Sequence, residues 1–324
     1  MTGPVQTTIV PVSKAIGWIE AGLYVLMIGL LSLAYAMAAA RGVHTVVFIL
    51  YSLLISSSAL LAYTGFGDNA RAVMLSRESW LIGLTNMVME GGYAILLGYV
   101  TPVEGSLMIR LSIPLTLVIG FVVFQRRPAR LAWIGAGLVG AVVASLLGSV
   151  DTSNAAIVIA CAFACAISVA VRAFSAEFHK WNRAAKTVFE KMRVTGLVTL
   201  VAAIAGLATV AALMTAVYRG LLADTPLLPT PEALIHPPTI LLALFVGGAL
   251  FTAMTYLSFS CVLKIRSENF IATSAFMPLA ALFVQSAAAA AGLITLPPFD
   301  WRLLPAMLAA IAGVLLIIWG NRRA

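Results

Sequence analysis

The sequence predicts an all-α membrane protein of ten transmembrane helices, arranged as two inverted five-helix repeats. Three observations carry that expectation. The first is composition: 62% of the 324 residues are hydrophobic, 10% are charged, and the mean hydropathy is +1.04. Water-soluble domains of this length do not have that balance. The second is order along the chain. Charged residues gather in short clusters between apolar runs of roughly 20 residues, the length a helix needs to cross a bilayer. The third is internal repetition. Pro114 and Pro278 are 164 residues apart, as are Glu104 and Glu268, and Trp133 and Trp301 then open the fifth and tenth runs. Val47-Phe48 and Val188-Phe189 open the second and seventh. A repeat of five spans is odd, so its two copies insert with opposite orientation. Inverted repeats of this kind place a substrate site near the midplane between the halves.

The ten runs are 17–39, 43–63, 80–100, 103–124, 131–150, 154–174, 193–218, 239–263, 268–292 and 301–320. Residues 1–150 hold the first repeat and residues 151–324 the second, within one integral membrane domain. Met1 to Ser13 is polar, and the first run is too long for a signal-peptide core, so it reads as a retained helix. With the N-terminus in the cytoplasm, sixteen of the 20 Lys and Arg residues fall on the cytoplasmic side. Arg41, Arg219 and Arg302 fall outside, and Arg110 is intramembrane. This bias places both termini in the cytoplasm. It also accounts for the net charge of +8 without a nucleic-acid partner. Cys161, Cys165 and Cys261 lie in or at the end of apolar runs and read as small packing residues rather than a metal site.

The first span carries Glu20, Tyr24 and Tyr35. Glu20 sits in the early turns, where the helix dipole favours a carboxylate, and Tyr24 is a cavity candidate. The span from Trp80 to Phe124 holds the costliest residues. It turns at Tyr99-Val100-Thr101-Pro102-Val103-Glu104, where Thr101 to Glu104 form a capping box with proline at the first helical position. Ser267-Glu268 reads as a cap of the same kind. Glu90 lies about ten residues before the turn and Arg110 about eight after it, so at 1.5 Å per residue they reach similar depths. An ionisable group at that depth costs at least about 2.5–3.5 kcal/mol unless it meets a partner or water. The two are expected to pair, either as a binding site or as a structural latch. Asn86, Glu90 and Tyr93 share one helical face.

Arg110 has the donor fork to clamp a carboxylate or phosphate. In the second half, Thr255 and Tyr256 of span eight and Ser274 of span nine complete the candidate substrate-binding set. Ser274 is the repeat counterpart of Arg110. Pro114 and Pro278 are expected to kink their helices and free backbone carbonyls toward the cavity. The basic, aromatic-rich segment from Arg172 to Arg193 is expected along the inner leaflet, against anionic membrane lipids. The proline-rich segment from Arg219 to Pro238 is expected to be a stiff extended connector, with His236 exposed. No metalloprotease helix, phosphate-binding loop or nucleophile elbow is present in the sequence. The chain does not read as an enzyme, and no cofactor or metal is expected. Active transport would draw on a gradient or on exchange.

Two passages resemble a known family. They are Tyr99-Val100-Thr101-Pro102-Val103-Glu104-Gly105-Ser106 through Pro114 to Trp133-Ile134-Gly135-Ala136-Gly137-Leu138-Val139-Gly140, and Ser267-Glu268-Asn269-Phe270 through Pro278 to Trp301. They look like the two halves of the drug/metabolite transporter superfamily, in its ten-helix EamA-like branch. The chain departs from that pattern at Gln125-Arg126-Arg127 and at Tyr51-Ser52. The resemblance implies that spans 1–4 and 6–9 surround a central cavity, with spans five and ten at the periphery. There Ala136, Gly137, Gly140, Ala141, Ala309 and Gly313 would serve packing within the chain or a homodimer. It implies a secondary transporter, an exporter, of small metabolites such as amino acids in a bacterial plasma (inner) membrane. A flippase for a lipid-linked group and a non-transporting scaffold or sensor are the alternatives the residues leave open.

Overall fold

Helix follows helix along the chain, and no strand occurs among the described residues. In the computed structural model these are residues 13–223, 228–265, 267–294, 301 and 303–323, with only the backbone described at Ser267, Glu268, Ile271 and 321–323. The main helices are α1 (Lys14–Ala40), α2 (Thr45–Thr64), α3 (Arg77–Leu96), α4 (Pro102–Val122), α5 (Arg130–Gly148), α6 (Ala155–Phe178), α7 (Val188–Tyr218) and α8 (Pro231–Ile265). They are followed by α9, in two pieces (Ser267–Ser274 and Met277–Ala290), and α10 (Leu303–Arg323). Among the described residues, eight helices are long and apolar enough to cross a membrane: α1, α2, α4 to α8, and α10. The protein is therefore an all-α integral membrane protein. Of the two remaining expected spans, α3 has 20 residues but carries Arg77, Glu78, Asn86 and Glu90, and α9 is divided.

The helix starts follow local chemistry. At α4, Glu104 N–H donates to Thr101 Oγ1 and Thr101 N–H donates to Glu104 Oε2, with Pro102 at the first helical position. This is the expected capping box. A second box, Thr187 with Glu190, starts α7. The counterpart expected at Ser267-Glu268 depends on side chains outside the described residues. The end of the connector expected to be extended, Arg219 to Pro238, instead forms the start of α8. Pro231 opens a helical turn and Pro237 opens another, because a proline at a helix start gives up no intrahelical hydrogen bond. His236 is half-buried there, with Nδ1 3.0 Å from Thr239 Oγ1. Pro226 and Arg302 lie outside the described residues.

The two repeat prolines interrupt their helices at the same point. Pro114 has no N–H for the carbonyl of Arg110, and its ring crowds that oxygen. The chain tightens into a 3-10 turn over Ile109–Leu111. Pro278 stands in the same relation to Ser274, where the first piece of α9 ends before Met277 restarts it.

The two ends of the bundle differ. One end holds the α1–α2, α3–α4, α5–α6 and α7–α8 connections. Here lies the largest apolar core, with Tyr35, Phe48, Leu96, Leu107, Val158 and Met307 all buried. The opposite end carries most of the Lys and Arg residues, and its apolar clusters are small, such as Leu61, Val73, Leu197 and Val198. At this basic end Arg193 Nε and Nη2 both donate to the carbonyl of Thr64, at 3.0 and 2.7 Å, tying α7 to the end of α2. The basic segment begins, as expected, by extending a helix. Helix α6 continues through Arg172 to Phe178, and Phe174 is buried against Phe124 rather than free to anchor in lipid. Around the outside, large apolar side chains such as Leu84, Ile134 and Phe283 are exposed, as lipid-facing positions require. Tyr63, Trp80, Tyr99, Trp133, Tyr218 and Trp319 are exposed near helix ends, where interfacial aromatics belong.

Helix α5 runs along α10, and the two backbones touch. A Cβ added to Gly135 would lie 2.3 Å from the carbonyl oxygen of Gly313, whereas one added to Gly137 meets nothing within 4 Å. Gly135→Val is expected to destabilise the protein by about 1–3 kcal/mol, because a backbone atom cannot step aside. Gly137→Val on the exposed face should be near neutral. Thermal unfolding of both variants in detergent checks the pair, and an equal response from both would contradict the α5–α10 contact.

Candidate functional site

A cavity of about 540 Å³ lies inside the bundle. Its walls come from α1, α2, α3, α4, α6, α7, α8 and α9, and none from α5 or α10. On most helices the lining residues occupy the stretch from the middle toward the basic end: Tyr24 to Leu31 on α1, Leu53 to Leu60 on α2, Ile82 to Tyr93 on α3, Val169 to Ala176 on α6, and Phe251 to Phe259 on α8; on α4 they run from Ser106 to the mid-helix Ser112. His179 and Asn182 line it at that end. The apolar core closes the other end. A cavity of this volume is of the size that small-molecule sites occupy.

Six of the eight residues expected from sequence line this cavity: Tyr24, Asn86, Glu90, Tyr93, Arg110 and Thr255. Tyr256 and Ser274 do not. On α8 the wall is formed by Thr255, Ser258 and Phe259, at spacings that share one face. Tyr256 lies off that face and is 39% exposed. The helix preceding them is wound as a π-helix over Leu244–Phe251, where Thr252 Oγ1 donates to the carbonyl of Gly247, five residues back. Ser274 ends its helix at the proline break, and Met277 reaches the cavity in its place.

The expected Glu90–Arg110 pair is not formed. Glu90 Oε2 accepts a hydrogen bond of 2.7 Å from the hydroxyl of Tyr35 on α1. Arg110 is 7% exposed, and its Nε and Nη2 have no hydrogen-bond partner. Equal depth placed the two residues at one level. The rotation of each helix then turned Glu90 to α1. The hydroxyls around Arg110 are engaged elsewhere: Tyr93 with Ser32 at 2.9 Å, and Ser106 with the carbonyl of Val103 at 2.7 Å.

A second arginine enters the site. Arg172, expected in the cytoplasmic segment, is helical within α6. Its Nη1 donates to Asn86 Oδ1 at 2.6 Å. Tyr24 is within electrostatic reach of Arg172, Glu90 and Arg110 together. Arg172 falls within the sequence-predicted span 154–174, and that overlap was the available signal. Tyr35 was visible on the first span, but its bond to Glu90 needs the fold. Glu20 is likewise not held by the helix dipole. It pairs with Lys264 of α8 and accepts from Ser260 at 3.0 Å.

His179 closes the basic end of α6 and is almost fully buried. Its Nδ1 accepts from the Asn182 amide at 3.1 Å, capping the short helix Lys180–Ala184, so Nε2 carries the hydrogen toward Ser79 Oγ, 2.8 Å away. Burial lowers its pKa below the ordinary 6.5, while the nearby Glu78 pulls it upward.

No family model matches the chain, and no curated protein matches it. A solved structure described as "Crystal structure of protein" superposes with a TM-score of 0.58 over 96% of this chain and 100% of that one, at 16% identity. At that identity the likeness is one of fold alone.

Two outcomes follow from this geometry. Tyr35→Phe leaves Glu90 Oε2 without its donor and should destabilise the protein by about 1.5–3 kcal/mol, read by thermal unfolding. The His179 cap has a defined pH sign. Its folded pKa is depressed, so its contribution is complete above 6.5 and is lost as pH falls from there through the folded value. Protonation at Nδ1 removes the acceptor for Asn182. Hydrogen-exchange protection of residues 180–184, corrected for intrinsic rates, should fall over that range in the wild type. His179→Asn, which keeps a capping acceptor that does not titrate, should remove the pH dependence.

Proposed function

We propose that this protein is a secondary transporter of small metabolites such as amino acids, an exporter working by alternating access of two inverted five-helix halves. The observation that carries the reading is Arg110: a buried guanidinium without an acceptor, beside a cavity closed at one end by an apolar core. A charge is not kept in that state for stability, since an uncompensated buried charge is strongly unfavourable. Its natural partner is something that enters the cavity.

The packing supports the two-half reading, with α3 and α9 as the remaining two spans. Exchange of helices 1–5 with 6–10 maps the α3–α6 contact onto α8–α1, and the α4–α6 contact onto α9–α1. The α2–α7, α5–α10 and α4–α9 contacts map onto themselves. The matched breaks before Pro114 and Pro278 fall at equivalent places. In this reading the basic end is cytoplasmic, in a plasma membrane, and the cavity faces the cytoplasm, as an exporter needs for loading. Glu90 and the Tyr35–Phe48–Tyr93 aromatic group form the floor that must open for release.

Proteoliposome counterflow tests the reading. The purified protein should show saturable exchange with one class in a panel of amino acids, organic acids and organic phosphates. Arg110→Ala should abolish that exchange while still folding. Loss of the fold in Arg110→Ala, with rescue when Glu90 is also made apolar, would instead make the two residues a structural latch. Responses confined to lipid-linked compounds would favour a flippase.

A further inference from the structure

We infer that the cavity takes an organic anion, its oxyanion head on Arg110 and its apolar body among Met89, Phe251, Met254 and Met277. The inference rests on the transport reading and narrows its substrate. Three features carry it.

The first is the charge balance. Arg110 and Arg172 face one carboxylate, Glu90, so the charged lining has one uncompensated cation. His179 is neutral at physiological pH, and Lys264 is paired with Glu20 away from the lining. The second is the distribution of acceptors. Asn86 Oδ1 is taken by Arg172 and Glu90 Oε2 by Tyr35. Ser106 donates into its own helix. The protein supplies Arg110 with no acceptor, so the ligand must. Two guanidinium nitrogens without partners, on a side chain more than nine-tenths buried, call for an oxyanion and reject an amine. The third is the rest of the wall. Three methionines and Phe251 offer an apolar surface that adapts to shape, which suits a range of bodies behind a fixed head. Carboxylate and phosphate heads share this chemistry.

The test uses the full-length protein in detergent and three probes with one aromatic body: phenylacetate, phenyl phosphate and phenethylamine. Thermal shift and binding isotherms are read for the parent, Arg110→Gln, Arg172→Gln and Glu90→Gln. The two anions should stabilise the protein and phenethylamine should not. The stronger anion identifies the head group as carboxylate or phosphate. Arg110→Gln should weaken anion binding about tenfold or more, the loss expected for a charge-assisted contact. It should also leave the ligand-free protein as stable as the parent or more so, because it removes an unpaired charge. Glu90→Gln should tighten anion binding, and Arg172→Gln should weaken it even if Arg110→Gln does not fold.

Equal or tighter binding of phenethylamine, unchanged anion binding in both arginine variants, or no response to either anion would overturn the inference. Counterflow separates the two claims. Arg110-dependent anion binding without counterflow sinks the transport reading and leaves the site. Counterflow of phenethylamine that ignores Arg110 sinks the anion and leaves the transporter.

Discussion

Hydrocarbon offers no hydrogen bonds, and that constraint organises this bundle. Every polar side chain that enters the membrane depth must turn inward and find a partner. Hydroxyls such as Ser106 and Thr255 donate into their own helices, and four contacts cross between helices: Tyr35 with Glu90, Ser32 with Tyr93, Arg172 with Asn86, Lys264 with Glu20. These contacts draw α1, α3, α6 and α8 around a shared interior. Helices α5 and α10 bring no side chain to the cavity and stay outside it. The same constraint makes Arg110 conspicuous. Its backbone carbonyl loses a donor to Pro114, and its guanidinium has two nitrogens without partners. The lost backbone donor and the missing acceptors meet at one residue, beside the cavity.

The unequal ends of the bundle give that space its direction. Apolar packing is continuous where Tyr35, Phe48 and Leu96 meet, and sparse at the basic end. An inverted repeat supplies a second convergence of equal topology. Under the transport reading, the two halves exchange which end is packed, and the energetic difference between the states stays small because each packs like the other reversed.

Much of this was legible in the sequence. The membrane class followed from composition, the α4 cap from Thr101 and Glu104, and the helix breaks from two prolines at one offset. The stripe of Asn86, Glu90 and Tyr93 was a true face. What failed was azimuth. Depth along a helix can be counted from residue number, but rotation about the axis cannot be fixed for two helices at once, so Glu90 was matched to Arg110 when it faces Tyr35. Tyr256 lies beside the cavity face rather than on it, beyond a π-helical stretch that advances the chain by a different angle per residue. Arg172 was assigned by charge to the cytoplasm, although its long side chain belongs to a helix that reaches into the cavity.

The α5–α10 contact has a mechanical consequence. Where Gly135 meets Gly313, backbone lies on backbone with no side chain between them. Such a joint has no rotamers to rearrange and no knobs to lift out of holes. Sliding it would bring the neighbouring Val139 and Ile317 into collision, whereas a small turn about the crossing point costs little. Under the transport reading, the pair outside the cavity would serve as an axle, a fixed point about which two halves of the bundle rotate while the space between them opens first one way and then the other.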